Sequence, residues 1–169
     1  MKRTISLILA VVLCFGMLPV MASADYTVAQ YSSTRSFLRY LDEKGIKYSW
    51  QGVNENNQEK VTVSYSDDNW GSVKFSIFFD SNCENAYFYI WNLCSYNETM
   101  FASLCQTLNS LNYKYRIARF YADTSDNSIT VYYDTIFRSN DVGEINYEAL
   151  YRMLDIACEA YDTLKPFIA

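Results

Sequence analysis

Alternation of apolar and polar residues with period two dominates the middle of this chain. Ile46, Tyr48 and Trp50 alternate with Lys47, Ser49 and Gln51; Val61, Val63 and Tyr65 alternate with Lys60, Thr62 and Ser64. Val73, Phe75, Ile77 and Phe79 alternate with Lys74 and Ser76. One polar side per segment predicts half-buried antiparallel strands. The separators GVNENNQE and SDDNWG are turns built from Gly, Asn and Asp. A fourth strand, AYFYIWNL from Ala86 to Leu93, is apolar or aromatic on both faces. Tyr115–Ala122 and Ser128–Phe137 predict a further strand pair.

Helical spacing takes over in three segments. Residues 31–44, YSSTRSFLRYLDEK, put Phe37, Leu38 and Leu41 on one stripe. Ser32, Ser33 or Thr34 is placed to cap the start, and Gly45 stands at the usual stop position. Residues 97–111 carry Phe101, Leu104, Cys105, Leu108 and Leu111 at helical spacing. After the loop RSNDVGE, a last helix is predicted from Asn146 to about Lys165. Its stripe is Leu150, Met153, Leu154, Ala157, Cys158, Tyr161 and Leu164, and Pro166 marks its exit. The predicted order is α-β-β-β-β-α-β-β-α: an α+β domain, with an antiparallel sheet and helices packed on one face.

The first 24 residues follow a different logic. Lys2 and Arg3 precede an apolar run from Ile5 to Met21, and Ala22-Ser23-Ala24 places small residues where a signal peptidase reads. This predicts a secretory signal peptide over residues 1–24, cleaved after Ala24, and an extracytoplasmic mature chain 25–169 forming one domain. Gly16, Pro19 and the cleavage site argue against a membrane anchor, and Leu13 before Cys14 argues against lipidation. Removing two basic residues and no acid takes the formal net charge from −5 to −7. An acidic chain without a basic block argues against nucleic acid and anionic membrane surfaces as partners.

The 169 residues contain no histidine. That removes Ser-His-Asp and Cys-His nucleophiles, a histidine general base and histidine metal ligands. Cys83, Cys94, Cys105 and Cys158 remain after cleavage. Cys83 and Cys94 flank a predicted strand, and Cys94 and Cys105 are kept apart in a similar way along a helix, so neither pair is expected to meet the roughly 7 Å Cα limit of a disulfide. Mostly free thiols are expected, with Cys105–Cys158 the pairing to test. The stretch DTSDN at 123–127 imitates the start of a calcium loop, but such a loop needs Gly and Glu where Ser128 and Asp134 stand. Period-two segments on both sides make it a hairpin turn. No metal and no cofactor is expected.

The C-terminal half resembles a known family. The run LNSLNYKYRIARFYADTSDNSITVYYD, a Gly-Glu loop and ALYRMLDIACEAYDTLKPFI are similar to the YbjN-like domain, a bacterial sensory-transduction-regulator family. Asn112, Arg119-Phe120, Asp126, Asp134 and Gly143-Glu144 stand where its pattern has such residues. The resemblance covers about residues 97–165 by local sequence and 31–165 by element order. It implies a type III secretion chaperone-like fold and a non-enzymatic binding or adaptor domain, often dimeric, with no defined catalytic residues. The export segment sets this chain apart from the family's usual cytoplasmic members.

The remaining signal is aromatic: 16 Tyr, 10 Phe and 3 Trp. Helices should cover the face of Val61, Val63, Val73, Phe75 and Ile77. The opposite face then gathers Tyr87, Tyr89 and Trp91 from one strand, with Tyr132. Either Arg119 and Tyr121, with Tyr115, or the alternate set around Phe120 continues it. Tyr, Trp and Arg dominate protein interfaces. The expected function is therefore partner binding or self-association through this face. The alternative is a cell-envelope carbohydrate- or peptide-binding protein; an enzyme using carboxylates or Ser-Lys chemistry is the least favoured reading.

Overall fold

The computed structural model describes residues 26–137 and 142–169. The expected signal peptide, residues 1–24, and its expected cleavage site lie outside the described residues. The strands are β1 (Tyr48–Val53), β2 (Gln58–Asp67), β3 (Gly71–Asp80), β4 (Asn85–Ser95), β5 (Arg119–Asp123) and β6 (Ser128–Ile136). The helices are α1 (Ser32–Glu43), α2 (Phe101–Lys114) and α3 (Val142–Leu164), with short 3-10 turns before α1, before α2 and after α3. The strands form one six-stranded sheet in the order β1-β2-β3-β4-β6-β5, antiparallel throughout. The α+β class, the one-sided helix layer and the element order all match the expectation from the alternation pattern.

The core lies between that sheet and its helices. Val61, Val63, Phe75, Ile77, Phe79, Phe88, Ile90, Phe120, Ile129 and Val131 point to one side. There they bury against Phe37, Leu38 and Leu41 of α1, Leu104 and Leu108 of α2, and Leu150 and Met153 of α3. Each fully buried side chain of this size contributes roughly 1.5–3 kcal/mol. A slip of one residue in any strand would turn its apolar set to water, so this burial pins the register.

Several local predictions are corrected. The segment 115–122 is not one strand: α2 runs on to Lys114, Tyr115 is a buried residue at its end, and β5 begins only at Arg119. The face of β5 is thereby settled, with Phe120 inward and Arg119 and Tyr121 outward. Asn112 explains where the strand starts. Its side-chain amide accepts from the Phe120 N–H at 2.7 Å and donates to the Phe120 C=O at 2.9 Å, occupying the open edge of β5 as a neighbouring strand would. At the other edge, β1 begins at Tyr48 rather than Ile46.

The cap of α1 is not a serine or threonine. Its N-cap residue is Tyr31, which makes no side-chain cap bond, while Ser33 and Thr34 are buried. The fully buried Glu59 of β2 instead holds the chain just before the helix, accepting from the N–H groups of Gln30 at 2.7 Å and Tyr31 at 3.1 Å. Gly45 ends α1 with φ +68, as its position predicted.

The four cysteines among the described residues are free thiols, Cys105 and Cys158 included. Those two are half-buried rather than core residues. The Cys158 thiol donates to Asp67 at 3.2 Å, and burial followed by that carboxylate pushes it up to about 11. Burial also pushes the Cys94 thiol up to about 11. Cys83 goes the other way: burial raises it, but hydrogen bonds from Ser32 and Ser33 at the start of α1 outweigh that and lower it.

Helix α3 starts earlier than Asn146, and Gly143 falls in its first turn. A Cβ there would lie 2.7 Å from the Ser36 backbone oxygen and 3.0 Å from the Tyr40 Cβ, so α1 and α3 cross with backbone nearly touching. A side chain at 143 must push one helix off the other. Gly143→Val is expected to cost about 2 kcal/mol or more, because overpacking against backbone relaxes poorly. Urea unfolding checks it: a lower midpoint at unchanged slope is expected. A change within about 0.5 kcal/mol would mean the crossing tolerates a side chain.

Candidate functional site

The outer face of the sheet, away from the helices, carries the aromatic set expected from β4. Tyr87 pairs with Phe78 and Asp134, Tyr89 with Ser76 and Tyr132, and Tyr132 with Arg119. All share one face by strand parity. The rings form a connected cluster. Tyr89 packs on Tyr132 with centroids 5.0 Å apart and meets the edge of Phe78 at 5.9 Å. Trp91 lies flat on Tyr89, 4.1 Å between centroids and 4° from parallel.

That stack has a backbone cause. Residues two apart in a regular strand are about 6.6 Å apart along it, too far for their rings to touch face to face unaided. Between Ile90 and Cys94 the β4–β6 pairing shifts register, and Asn92 sits in the left-handed region at φ 52. Asn tolerates that conformation better than most residues. Its Oδ1 accepts from the Ser128 hydroxyl at 2.8 Å, which anchors the bulge to β6. Bulges re-aim side chains, and this one lays the indole onto Tyr89.

The cluster opens into a groove of about 350 Å³. Phe78, Tyr87, Tyr89, Trp91 and Tyr132 line it on the ring side, and Asn54, Asn56 and Gln58 line it on the other. Of the six residues singled out from sequence, four line the groove. Arg119 and Tyr121 share the face but stand beyond it, and the Arg119 guanidinium donates to the Arg116 C=O at 2.9 Å. Tyr115 is on the core side altogether.

Sequence reasoning missed the amide wall and Phe78. Strand parity could have found Phe78, which alternates out of phase with Ile77 and Phe79. No sequence signal marked Asn54 and Asn56, because the β1–β2 turn that carries them is placed by its own hydrogen bonds. Asn54 Oδ1 accepts from the N–H groups of Asn56 at 2.9 Å and Gln58 at 3.0 Å. Asn57, at φ 58, completes the turn. Behind the groove, Asp80 accepts from Gln58 Nε2 at 2.8 Å and from the Tyr87 hydroxyl at 2.7 Å, fixing one residue on each wall.

The DTSDN segment is a hairpin loop. Asp123 accepts from the Ser125 N–H at 2.8 Å and hydroxyl at 2.6 Å, and Asp126 accepts from the Ser128 N–H at 3.1 Å. Among the described residues, no three His, Cys, Asp or Glu side chains gather to hold a metal ion. No helix among them is long and apolar enough to cross a membrane.

The groove is electrically neutral over a wide pH range. The Asp80 hydrogen bond, then burial, holds the Tyr87 phenol up at about 12. Burial first, then Tyr121 and Asp134, raises Tyr89; burial first, then Asp134 and Tyr89, raises Tyr132. A phenol raised on folding contributes stability that is complete below its unfolded value near 10 and is lost as pH climbs through its folded value. For Tyr87 that window runs from about 10 to 12. Tyr87→Phe should therefore flatten the loss of stability across it, followed by chemical unfolding at stepped pH. An unchanged profile would mean that Tyr87 and Asp80 are not coupled.

Residues 69–169 match the model of the YbjN family, described as "Putative bacterial sensory transduction regulator". No curated protein matches the chain. Among solved structures, it is similar to the crystal structure of YbjN from E. coli, described there as "a putative transcription regulator". The TM-score is 0.52 at 11% identity, covering 78% of this chain and 91% of that one. At that identity the likeness is one of fold. The ring side of the groove falls within the matched residues and the amide side does not, since Asn54, Asn56 and Gln58 precede position 69. With the family model spanning well over half of the 169 residues, from β3 to the C-terminus, the chain belongs to the YbjN family.

Proposed function

We propose that this protein is an exported, non-enzymatic binding domain that recognises its partner through the outer face of its sheet. The observation that carries this reading is the uncovered ring cluster. The described helices all pack on the opposite face, and Trp91 stays 45% exposed on top of the Tyr89–Tyr132–Phe78 cluster. Large rings held rigidly at a surface lose little side-chain entropy on binding, which is why interface anchors are so often Trp and Tyr. The family description as a regulator agrees with a role in binding rather than in chemistry. The histidine-free composition supports it too. The N-terminal segment supports export: Lys2-Arg3, an apolar run and Ala22-Ser23-Ala24 have the layout of a signal peptide.

A second copy of the chain is one partner this face suits. Trp91, Tyr121 and Ile136, respectively 45%, 38% and 70% exposed, all lie on it. Light scattering over a dilution series would then show a dimer that Trp91→Ala dissociates.

The test of the wider reading compares variants in the producing cell. Intact mass of the exported protein should give an N-terminus at Asp25. Its retention in the envelope fraction, or its dimer, should be lost in Trp91→Ala. Both should survive in Tyr113→Ala, a control at an 83% exposed site on α2. Retention or dimerisation that ignores Trp91 would overturn the proposed surface. A protein kept in the cytoplasm with its first 24 residues intact would overturn export.

A further inference from the structure

We propose that the groove is a binding site for a neutral oligosaccharide, a chain of hexopyranose rings without carboxylate or sulfate groups. The inference rests on the outer face being the recognition surface and names what occupies it. Two chemistries meet there. On one side is a rigid aromatic platform: the Trp91 indole has one face against Tyr89, which is braced in turn by Tyr132 and Phe78. The open indole face carries the negative pole of the ring quadrupole. A pyranose ring presents a flat patch of C–H groups, apolar and weakly positive, which suits such a face.

On the other side are amides. A sugar's hydroxyls each donate and accept, and carboxamides offer both functions without charge. The turn consumes Asn54 Oδ1 and leaves its NH₂ group as donor. Asp80 takes Gln58 Nε2 and leaves its carbonyl as acceptor. Asn56 is exposed at the turn. A few fixed polar groups beside an aromatic wall are the usual make-up of a small-molecule site, and about 350 Å³ lies at the lower end of their range.

The same residues argue against other occupants. Every residue lining the groove is aromatic or carries an amide. The charges nearest the groove do not line it: Asp80 is held by Gln58 and Tyr87, Asp134 stands opposite Tyr87, the Lys60 ammonium lies 5.6 Å from the Phe78 ring centroid, and Arg119 donates to the Arg116 carbonyl. A net charge of −5 also disfavours acidic polymers. Strand addition by an extended peptide needs an open sheet edge, whereas the rings stand on β3, β4 and β6, each paired on both sides.

Calorimetric titration of the purified protein with cellohexaose, maltohexaose and chitohexaose tests this, with a galacturonic acid hexamer as the acidic comparison. Saturable binding of at least one neutral hexamer is expected, and none of the acidic one. Trp91→Ala should weaken it by about tenfold or more, the scale of one lost anchor. Trp91→Phe should restore most of it. Asn56→Ala, at an exposed loop position that the fold tolerates, should weaken it several-fold. Failure of all three neutral hexamers to bind overturns the inference, as does binding that survives both alanine variants or prefers the acidic hexamer. If no hexamer binds while envelope retention or a dimer still depends on Trp91, the recognition face stands and its occupant is a protein.

Discussion

The close crossing of α1 and α3 at Gly143 is the constraint on which the rest depends. Without a side chain there, the Ser36 carbonyl of α1 rests almost against the α3 backbone. The two helices then lie side by side on one face of the sheet. Phe37, Leu38 and Leu41 reach Phe75 and Phe79, while Leu150 and Met153 complete the same core. The rings continue the contact outward, with Tyr40 on Tyr147 at 5.1 Å and Tyr147 on Tyr151 at 4.7 Å. Turns are drawn in as well: Trp70, from the β2–β3 turn, donates its indole N–H to the Ala157 carbonyl and meets Tyr161 edge-on.

Because the described helices sit on that one side, the other face of the sheet meets water and must hold itself together. It does so with cross-strand aromatic pairs, which contribute roughly 0.2–1 kcal/mol each. The pairing that stabilises the naked face also builds a platform on it. Asp80 has a similar double role: it ties Gln58 to Tyr87, joining β2 to β4 across β3, and thereby sets the width of the groove.

The residues that carried the family resemblance turn out to act on the fold. Asn112 fills the open edge of β5, Asp126 shapes the hairpin and Gly143 permits the helix crossing. Positions that serve the fold say little about the ligand, since a fold does not dictate what it binds. The amide wall comes from residues that precede the family match.

Local pattern alone determined the kind and order of the strands and helices, and put Tyr87, Tyr89 and Trp91 on a common side of β4; packing decided that this side faces outward. Period-two parity is a property of neighbouring residues, and burying one apolar side leaves it no freedom. The end of α2 at Lys114 was not legible, because Asn112 and Phe120 had to meet across eight residues. Nor was the anchoring of the chain entering α1, which Glu59 provides from 28 and 29 residues away. The groove itself needed tertiary structure. The left-handed Asn92 lays Trp91 on Tyr89, and the Asn54–Asn57 turn sets amides opposite the rings. Both depend on residues that come together only once the sheet has formed, and no alternation pattern records them.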